Sequence, residues 1–155
     1  MNAEVQPVVE RLHARYAHAL DEGRLEDWPD FFTENGRYRI TTAENEDRGL
    51  PLPVLYAEGR SMLRDRVQSL RHANIYEPQR YRHLTSCTLV ERIDDQRVKS
   101  VANFMVIRIM ESGDTLLFAS GRYVDRIVLS QEAQYEERVV ICDSRRFDTL
   151  LAIPL

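Results

Sequence analysis

The strongest constraint in this sequence is a series of long segments between Tyr81 and Asp143 that are rich in Val, Ile, Thr, Phe and Tyr. Four such segments are separated by short polar stretches at 94–96, 112–114 and 130–133, each of a length that suits a hairpin connection. They predict an antiparallel meander. Because strands of a dozen or more residues exceed the usual length, we expect the sheet to be strongly twisted and curved.

Helical periodicity precedes the meander and decides the fold class. Apolar residues from Val5 to Leu20 recur at the spacing of one helix face, and Gly23 ends that pattern. A second helical pattern, EGRSMLRDRVQSLRHAN at 58–74, stops before Pro78. The length of 155 residues suits one hydrophobic core. We therefore predict a single α+β domain over residues 1–155, with N-terminal helices packed in a strongly curved antiparallel sheet.

The stretch DWPDFFTENGRYRI, residues 27–40, concentrates aromatic side chains between charged segments. Asp27 is a candidate N-cap for a short helix that ends at Phe32, and a strand is predicted at 37–42. A helix this short has little area with which to dock, whereas each buried aromatic side chain covers roughly 150 to 250 Å². The predicted core anchors are Trp28, Phe31, Phe32 and Tyr38.

Two further segments contain apolar residues but show neither helical nor strand periodicity. Residues 43–57, AENEDRGLPLPVLYA, contain two prolines and one glycine and are predicted to form an ordered loop that packs against another surface, with partner subunits expected to bury part of it. The stretch LLAIPL at 150–155 is expected to be tied down on another part of the structure.

Composition excludes several classes of function. A net charge of −4 and a pI of about 5.6 disfavour nucleic acid, because binding to phosphates needs a basic surface. No apolar run is long enough for a bilayer, which predicts no membrane span. The first residues lack the basic and apolar regions of a secretory signal, which favours a cytoplasmic protein.

The histidines and cysteines do not predict a metal site. His13 and His18 lie about 140° apart around a helix, so they cannot act as an i, i+4 ligand pair. No HxxxH or HExxH motif is present, and His72 and His83 fall in different elements. We therefore expect solvated or hydrogen-bonded histidines. Cys87 and Cys142 lack CxxC spacing and are predicted to be reduced, buried thiols.

Two alternatives place a pocket inside the cone that such a curved sheet would form. Tyr16, Asp21, Tyr38 and His83 could line it as the acid/base groups of a small lyase or isomerase, with Asp21, Tyr38 and His83 as the catalytic set. The same pocket could bind a small ligand without chemistry. Against both, Asp21 is as easily a surface residue, and His83 needs only to hydrogen-bond across strands. No phosphate loop or nucleophile motif supports a different chemistry.

Charged residues interrupt the last two strands of the meander. Alternation places Arg122 and Arg126 on one face of one strand and Arg138, together with Val140 and Cys142, on one face of the next. A face that mixes Arg with Val is typical of a protein interface, and the alternative is Arg side chains that snorkel on a solvated face. The predicted interface or structural-network residues in these strands are Arg122, Tyr123, Asp125, Arg126, Arg138 and Asp143.

Several segments, taken together, resemble one family, the small (beta) subunits of bacterial Rieske-type aromatic-ring-hydroxylating dioxygenases. The resemblance rests on YAHALDEGRLEDWPDFFTENGRYRI, ENEDRGLPLPVLYAEGRSMLRDRV, YRHLTS, FASGRYVDRIV and VICDSRRFDTLLAIPL, which span most of the chain in order. The similarity is greatest to small subunits of systems that oxidise aromatic acids such as terephthalate, salicylate or anthranilate.

The resemblance implies a nuclear-transport-factor-2-like (cystatin-like) cone and a subunit without redox chemistry. In that family, three small subunits form a homotrimer that carries three large subunits, and the large subunit holds the Rieske 2Fe-2S cluster and the mononuclear iron. The resemblance implies that this chain has no cofactor and no catalytic residues of its own. It also assigns structural polar networks and subunit contacts to Asp65, Arg66, Arg82, His83, Arg122, Tyr123 and Asp125.

Overall fold

The computed structural model describes residues 2–49, 53–73, 78–144 and 153–155. Four long antiparallel strands carry the fold, as the sequence predicts: β3 (Gln79–Arg92), β4 (Arg97–Met110), β5 (Thr115–Val128) and β6 (Gln134–Cys142). Irregularities in register between Ser86 and Leu89, and between Val106 and Ile107, bend the sheet. The predicted α+β cone is confirmed.

Two earlier strands complete a six-stranded sheet in the order β2-β1-β6-β5-β4-β3. Strand β1 (Phe32–Thr42) pairs with the short β2 (Leu55–Glu58) in antiparallel fashion but runs parallel to β6. The prediction of a purely antiparallel sheet is therefore wrong at one pair. Parallel neighbours need a long connection, and here the chain from residue 43 to residue 133 lies between β1 and β6.

Helix α1 (Asn2–Asp21) lies across the inner face of the sheet, and its side chains contact β4, β5 and β6. A 3₁₀ helix, Leu25–Phe31, follows it. This helix begins before Asp27, so the predicted N-cap is wrong, and the Asp27 carboxylate instead accepts from Arg24 at 2.8 Å. Buried aromatic rings hold the short helix against the sheet: Trp28, Phe31, Phe32 and Tyr38.

Residues 43–57 are more regular than the predicted loop. Thr42 caps a short helix α2 (Ala43–Asp47) by accepting from the Asn45 amide at 3.2 Å, and Leu55–Glu58 form β2. Residues 50–52 lie outside the described residues. Helix α3 (Gly59–Gln68) and a π-helical turn, Ser69–Ala73, then lead to β3. Among the described residues, no helix has both the length and the apolar character needed to cross a membrane.

The two cysteines differ in environment. Cys142 is buried, as predicted, and burial raises the pKa of its thiol to about 12. Cys87 is exposed, which corrects the prediction for that residue. It lies at the irregular part of β3, an edge strand, with a φ of 55°, and this local distortion turns its side chain outward.

Candidate functional site

A buried arginine occupies the inside of the cone. The Arg138 guanidinium lies over three tyrosine rings, 3.5 Å from the centroid of Tyr123 and 4.3 Å from those of Tyr16 and Tyr135. Two of these tyrosines come from β5 and β6 and the third from α1, so the helix closes the cage that the sheet begins. Aromatic faces stabilise a desolvated cation, which partly offsets the cost of burying the charge.

The counter-ion of Arg138 is Asp125, which lies directly opposite it in the β5–β6 register. The closest nitrogen to oxygen distance is 3.1 Å, and both side chains are fully buried. Burial opposes the charge on the guanidinium, but the Asp125 carboxylate and the three surrounding tyrosines together outweigh it and raise the pKa of Arg138. Burial also raises the pKa of Asp125, to about 7 despite the neighbouring guanidinium, so the charge on this carboxylate depends on Arg138.

His13 connects α1 to this pair. The Tyr135 hydroxyl accepts from Arg138 at 2.9 Å, so its own proton is free to be donated to Nδ1 of His13, 2.7 Å away. Nε2 of His13 then carries the ring proton and donates to the Ser100 hydroxyl at 3.2 Å. Burial, together with the charge of Arg138, lowers the pKa of His13 well below its usual value. The ring is therefore a neutral, fully hydrogen-bonded core histidine.

The segment Ile153–Leu155 enters the cone between α1 and the sheet. The main-chain oxygen of Leu155 accepts from the hydroxyls of Tyr16 at 2.7 Å and Tyr38 at 2.9 Å, and the Trp28 indole donates to the Tyr16 hydroxyl at 3.1 Å. Burial raises the pKa of both tyrosines, so both remain hydrogen-bond donors. The predicted anchoring of 150–155 is seen for these three residues, while 150–152 lie outside the described residues.

Asp21 and His83, two of the three residues in the alternative catalytic set, lie together. Nδ1 of His83 is 2.6 Å from the Asp21 carboxylate, which also accepts from the His83 amide at 3.0 Å. Nε2 of His83 lies 3.1 Å from the main-chain oxygen of Pro154. The carboxylate and the carbonyl are both hydrogen-bond acceptors, so each ring nitrogen of His83 faces an acceptor. Both ring nitrogens are occupied within the chain.

A groove of about 500 Å³ borders this pair between α1 and β3. Its lining includes Glu10, His18, Asp21, Arg82 and His83. The third member of the alternative set, Tyr38, points instead to the Leu155 oxygen inside the cone and does not line the groove. Among the described ranges, no three His, Cys, Asp or Glu side chains are grouped so that they could hold a metal ion.

A SnoaL-like domain matches residues 3–135. The beta 2 subunit of the terminal oxygenase component of terephthalate 1,2-dioxygenase from Comamonas sp. is 40% identical over 144 residues, which cover 92% of this chain and 94% of that subunit. The small subunit of anthranilate 1,2-dioxygenase from Burkholderia cepacia is 41% identical over 145 residues, 93% of this chain and 90% of that one. The chain belongs to the small subunits of aromatic-ring-hydroxylating dioxygenases.

A solved structure supports the same membership. A protein assigned as the beta subunit of an aromatic-ring-hydroxylating dioxygenase from Novosphingobium aromaticivorans DSM 12444 superimposes with a TM-score of 0.90 at 34% identity, over 99% of this chain and 98% of that one. The resemblance carried by the sequence segments is therefore confirmed. Its relatives are components of multi-subunit dioxygenases, which favours the small-subunit interpretation over a stand-alone cone-fold enzyme.

The predicted interface and network residues of the small subunit separate into two groups. Four are buried inside the cone: His83, Tyr123, Asp125 and Arg138. Six are exposed at the surface: Asp65, Arg66, Arg82, Arg122, Arg126 and Asp143. Of the two roles predicted for Arg138, the surface-contact role is wrong, because β6 turns this side chain inward to meet Asp125.

Two members of the surface group, Arg82 and Arg122, share one side of the sheet with exposed apolar side chains. We call the solvent-facing side of β3, β4 and β5 the outer face, and define it by Leu84, Met105, Ile107, Leu117 and Arg122. Leu84 lies opposite Met105, and Ile107 lies opposite Leu117, so these residues share one side of the sheet. Leu84, Met105 and Leu117 are between 37% and 58% exposed.

Sequence reasoning missed the network of His13, Ser100, Tyr135 and Arg138. Its members come from three elements and have no common spacing. The one available signal was the alternation that places Arg138 on the same side of its strand as Val140 and Cys142, both buried. An arginine on an otherwise apolar strand face indicates either an interface or an internal counter-ion, and only the register of β5 with β6 decides between them.

Proposed function

We propose that this chain is the non-catalytic small subunit of a dioxygenase that acts on an aromatic acid, of the terephthalate, salicylate or anthranilate type. Three copies form a trimer that carries three large subunits. The Rieske cluster and the mononuclear iron belong to the large subunit, and the assembly is cytoplasmic. The chain's task is to hold the large subunits in a fixed arrangement so that one subunit's Rieske centre faces its neighbour's iron.

One observation carries this proposal: identity of about 40% over nearly the full length of small subunits from the terephthalate and anthranilate systems. Because both lengths match, the similarity concerns the whole subunit and not a shared module. Both relatives act on benzoic-acid-type substrates by name, which is the basis for the proposed substrate class.

The interior of the cone supports a structural role. Arg138 and its tyrosine cage occupy the space enclosed by α1, β5 and β6, and Ile153–Leu155 occupy the space in front of Tyr16 and Tyr38. These side chains fill the interior of the cone, which leaves little room for a substrate. The outer face, by contrast, combines apolar side chains with Arg122 and Arg126, as protein interfaces do.

A second candidate function rests on a specific contact. The 2.6 Å approach of Asp21 to His83 beside a groove of about 500 Å³ is the geometry of an acid/base pair. A lyase or isomerase, or a small-ligand binding protein, could use that groove. The Pro154 oxygen weighs against this second function. It lies beside Nε2 of His83, so the ring nitrogen that does not face Asp21 already contacts a main-chain oxygen.

Native mass spectrometry of the purified chain, followed by coexpression with a large subunit of this dioxygenase family, tests the main proposal. We expect a trimer alone and a complex of three large and three small subunits together. Asp21→Asn should leave turnover of the aromatic acid per assembled complex within about twofold of the unmodified protein. A monomer that does not bind the large subunit, or a complex that loses turnover with Asp21→Asn while its composition is unchanged, would contradict the proposal.

A further inference from the structure

The segment Ile153–Leu155 makes the kinds of contact that a bound peptide ligand makes. Its main-chain oxygens are met by side-chain donors from three separate elements: Tyr16 of α1, Tyr38 of β1 and His83 of β3. Leu155 is fully buried and Ile153 nearly so. Pro154 lies between them and has no N–H group, so the middle of the segment brings no donor that would need a partner inside the cone.

The donors that meet this segment are fixed by groups outside it. The Trp28 indole donates to the Tyr16 hydroxyl at 3.1 Å, and the Tyr38 ring stands edge-on to Trp28 with 5.0 Å between ring centroids. Asp21 holds His83 through both its ring and its amide. These supporting contacts do not involve residues 153–155. The pocket is therefore preorganised, and it should keep its shape when the segment is absent.

We infer that the pocket of Tyr16, Tyr38 and His83 is a binding site for short apolar peptide segments, and that Ile153–Leu155 is its resident ligand. The site recognises two successive main-chain oxygens that are flanked by apolar side chains, with proline preferred at the first of the two positions. A peptide of this kind binds in trans once the resident segment leaves. This inference does not depend on the proposed assembly with a large subunit.

The experiment uses the full chain with Leu155→Asp, because a charge cannot be accommodated at a fully buried apolar position without large cost. Trp28 is the only tryptophan in the chain, and it donates to the tyrosine that binds Leu155, so its fluorescence reports on the pocket. We expect Leu155→Asp to shift Trp28 emission to the red and to lower the thermal midpoint.

Adding acetyl-Ile-Pro-Leu, as its amide and as its free acid, should restore both signals in the Leu155→Asp protein with saturable binding by at least one form. The unmodified chain should not respond, because its pocket is filled, and acetyl-Ile-Pro-Asp should not bind. If Leu155→Asp does not fold, the peptides are added during refolding, and recovery of the native circular dichroism spectrum is the readout. Failure of both forms to bind or to restore folding would overturn the inference.

A matched pair of tyrosine variants, made in the Leu155→Asp background, separates recognition from general packing. Tyr38→Phe removes a donor to the peptide oxygen and should weaken binding about three- to tenfold, the range for one buried hydrogen bond. Tyr123→Phe removes a buried hydroxyl that has no hydrogen-bond partner among the described residues and should leave the affinity unchanged. Equal effects of the two substitutions would contradict the proposed contacts.

Discussion

The interior of the cone and the outer face of the same sheet use charge in opposite ways. Inside, Arg138 and Asp125 are fully buried and bonded to each other, and the arginine is enclosed by tyrosine rings. Outside, Arg122 and Arg126 point to solvent from the same strand that turns Asp125 inward. Adjacent residues of one strand therefore face the interior of the cone and the solvent.

The buried ion pair and the exposed arginines of this subunit are stabilised in different ways. A buried ion pair costs a great deal to desolvate, so it is retained only where each partner and its hydrogen bonds are satisfied. The outer face leaves leucine, methionine and arginine side chains without such internal partners, and a partner protein can cover them. Substitutions in the two regions should therefore affect different properties.

Arg138→Ala should have the largest effect on stability. It leaves Asp125 buried without its counter-ion, so the carboxyl must stay unpaired or take up a proton, and it removes the cation from the tyrosine cage; we expect a loss of about 5 kcal/mol in the free energy of unfolding. Urea denaturation measures it. Arg126→Ala, on the outer side of β5, is the control and should change the same quantity by less than about 0.5 kcal/mol. Similar losses for both would remove the distinction between interior and outer face.

Trp28→Ala tests whether the aromatic anchors stabilise the interior independently of the ion pair. Trp28 is fully buried and contacts both Phe32 and Tyr38 edge-on. We expect a loss of about 3 to 5 kcal/mol, because the substitution removes a large apolar side chain and leaves a cavity. A change of less than about 1 kcal/mol in the urea unfolding free energy would show that the 3₁₀ helix is not held by this ring.

His13→Gln should change the pH dependence of stability more than its magnitude. Because His13 has a pKa in the folded chain well below that in the unfolded chain, the unfolded state binds more protons as the pH falls below about 6.5. The stabilisation is thus complete above that pH and is lost on acidification, by at most about 1.4 kcal/mol per pH unit for one group. Unfolding free energies from pH 7.5 to 5 should fall more steeply for the unmodified chain than for His13→Gln, and parallel curves would contradict this role.

Arg122→Glu should have the smallest effect on the isolated fold and a clear effect on assembly. Arg122 is exposed on the outer face, so we expect the free energy of unfolding to change by less than about 0.5 kcal/mol. Reversal of its charge should weaken binding to other subunits, because like charges or unpaired charges at an interface are costly. Co-purification with the large subunit measures this effect, and an unchanged yield of complex would argue against the outer face as a contact surface.

Local patterns predicted much of this molecule, and pairing between distant segments accounts for the errors. The meander and its turns follow from composition and alternation, which act over neighbouring residues. The parallel pairing of β1 with β6 and the inward direction of Arg138 depend on contacts between strands far apart in the chain. Cys87 was misplaced because the distortion of β3 changes which side of the strand its residue faces.

By itself, the sequence determined the fold class, the positions of the four long strands and the family, because hydrophobic periodicity and short motifs persist along the chain in order. Only the tertiary structure decided that Arg138 meets Asp125, that His13 is neutral, and that Ile153–Leu155 fill the space before Tyr16 and Tyr38. The role of a charge or a hydrogen-bond donor depends on its partner and on its burial. Both are set by contacts between segments that are distant in the chain, so the spacing of neighbouring residues cannot predict them.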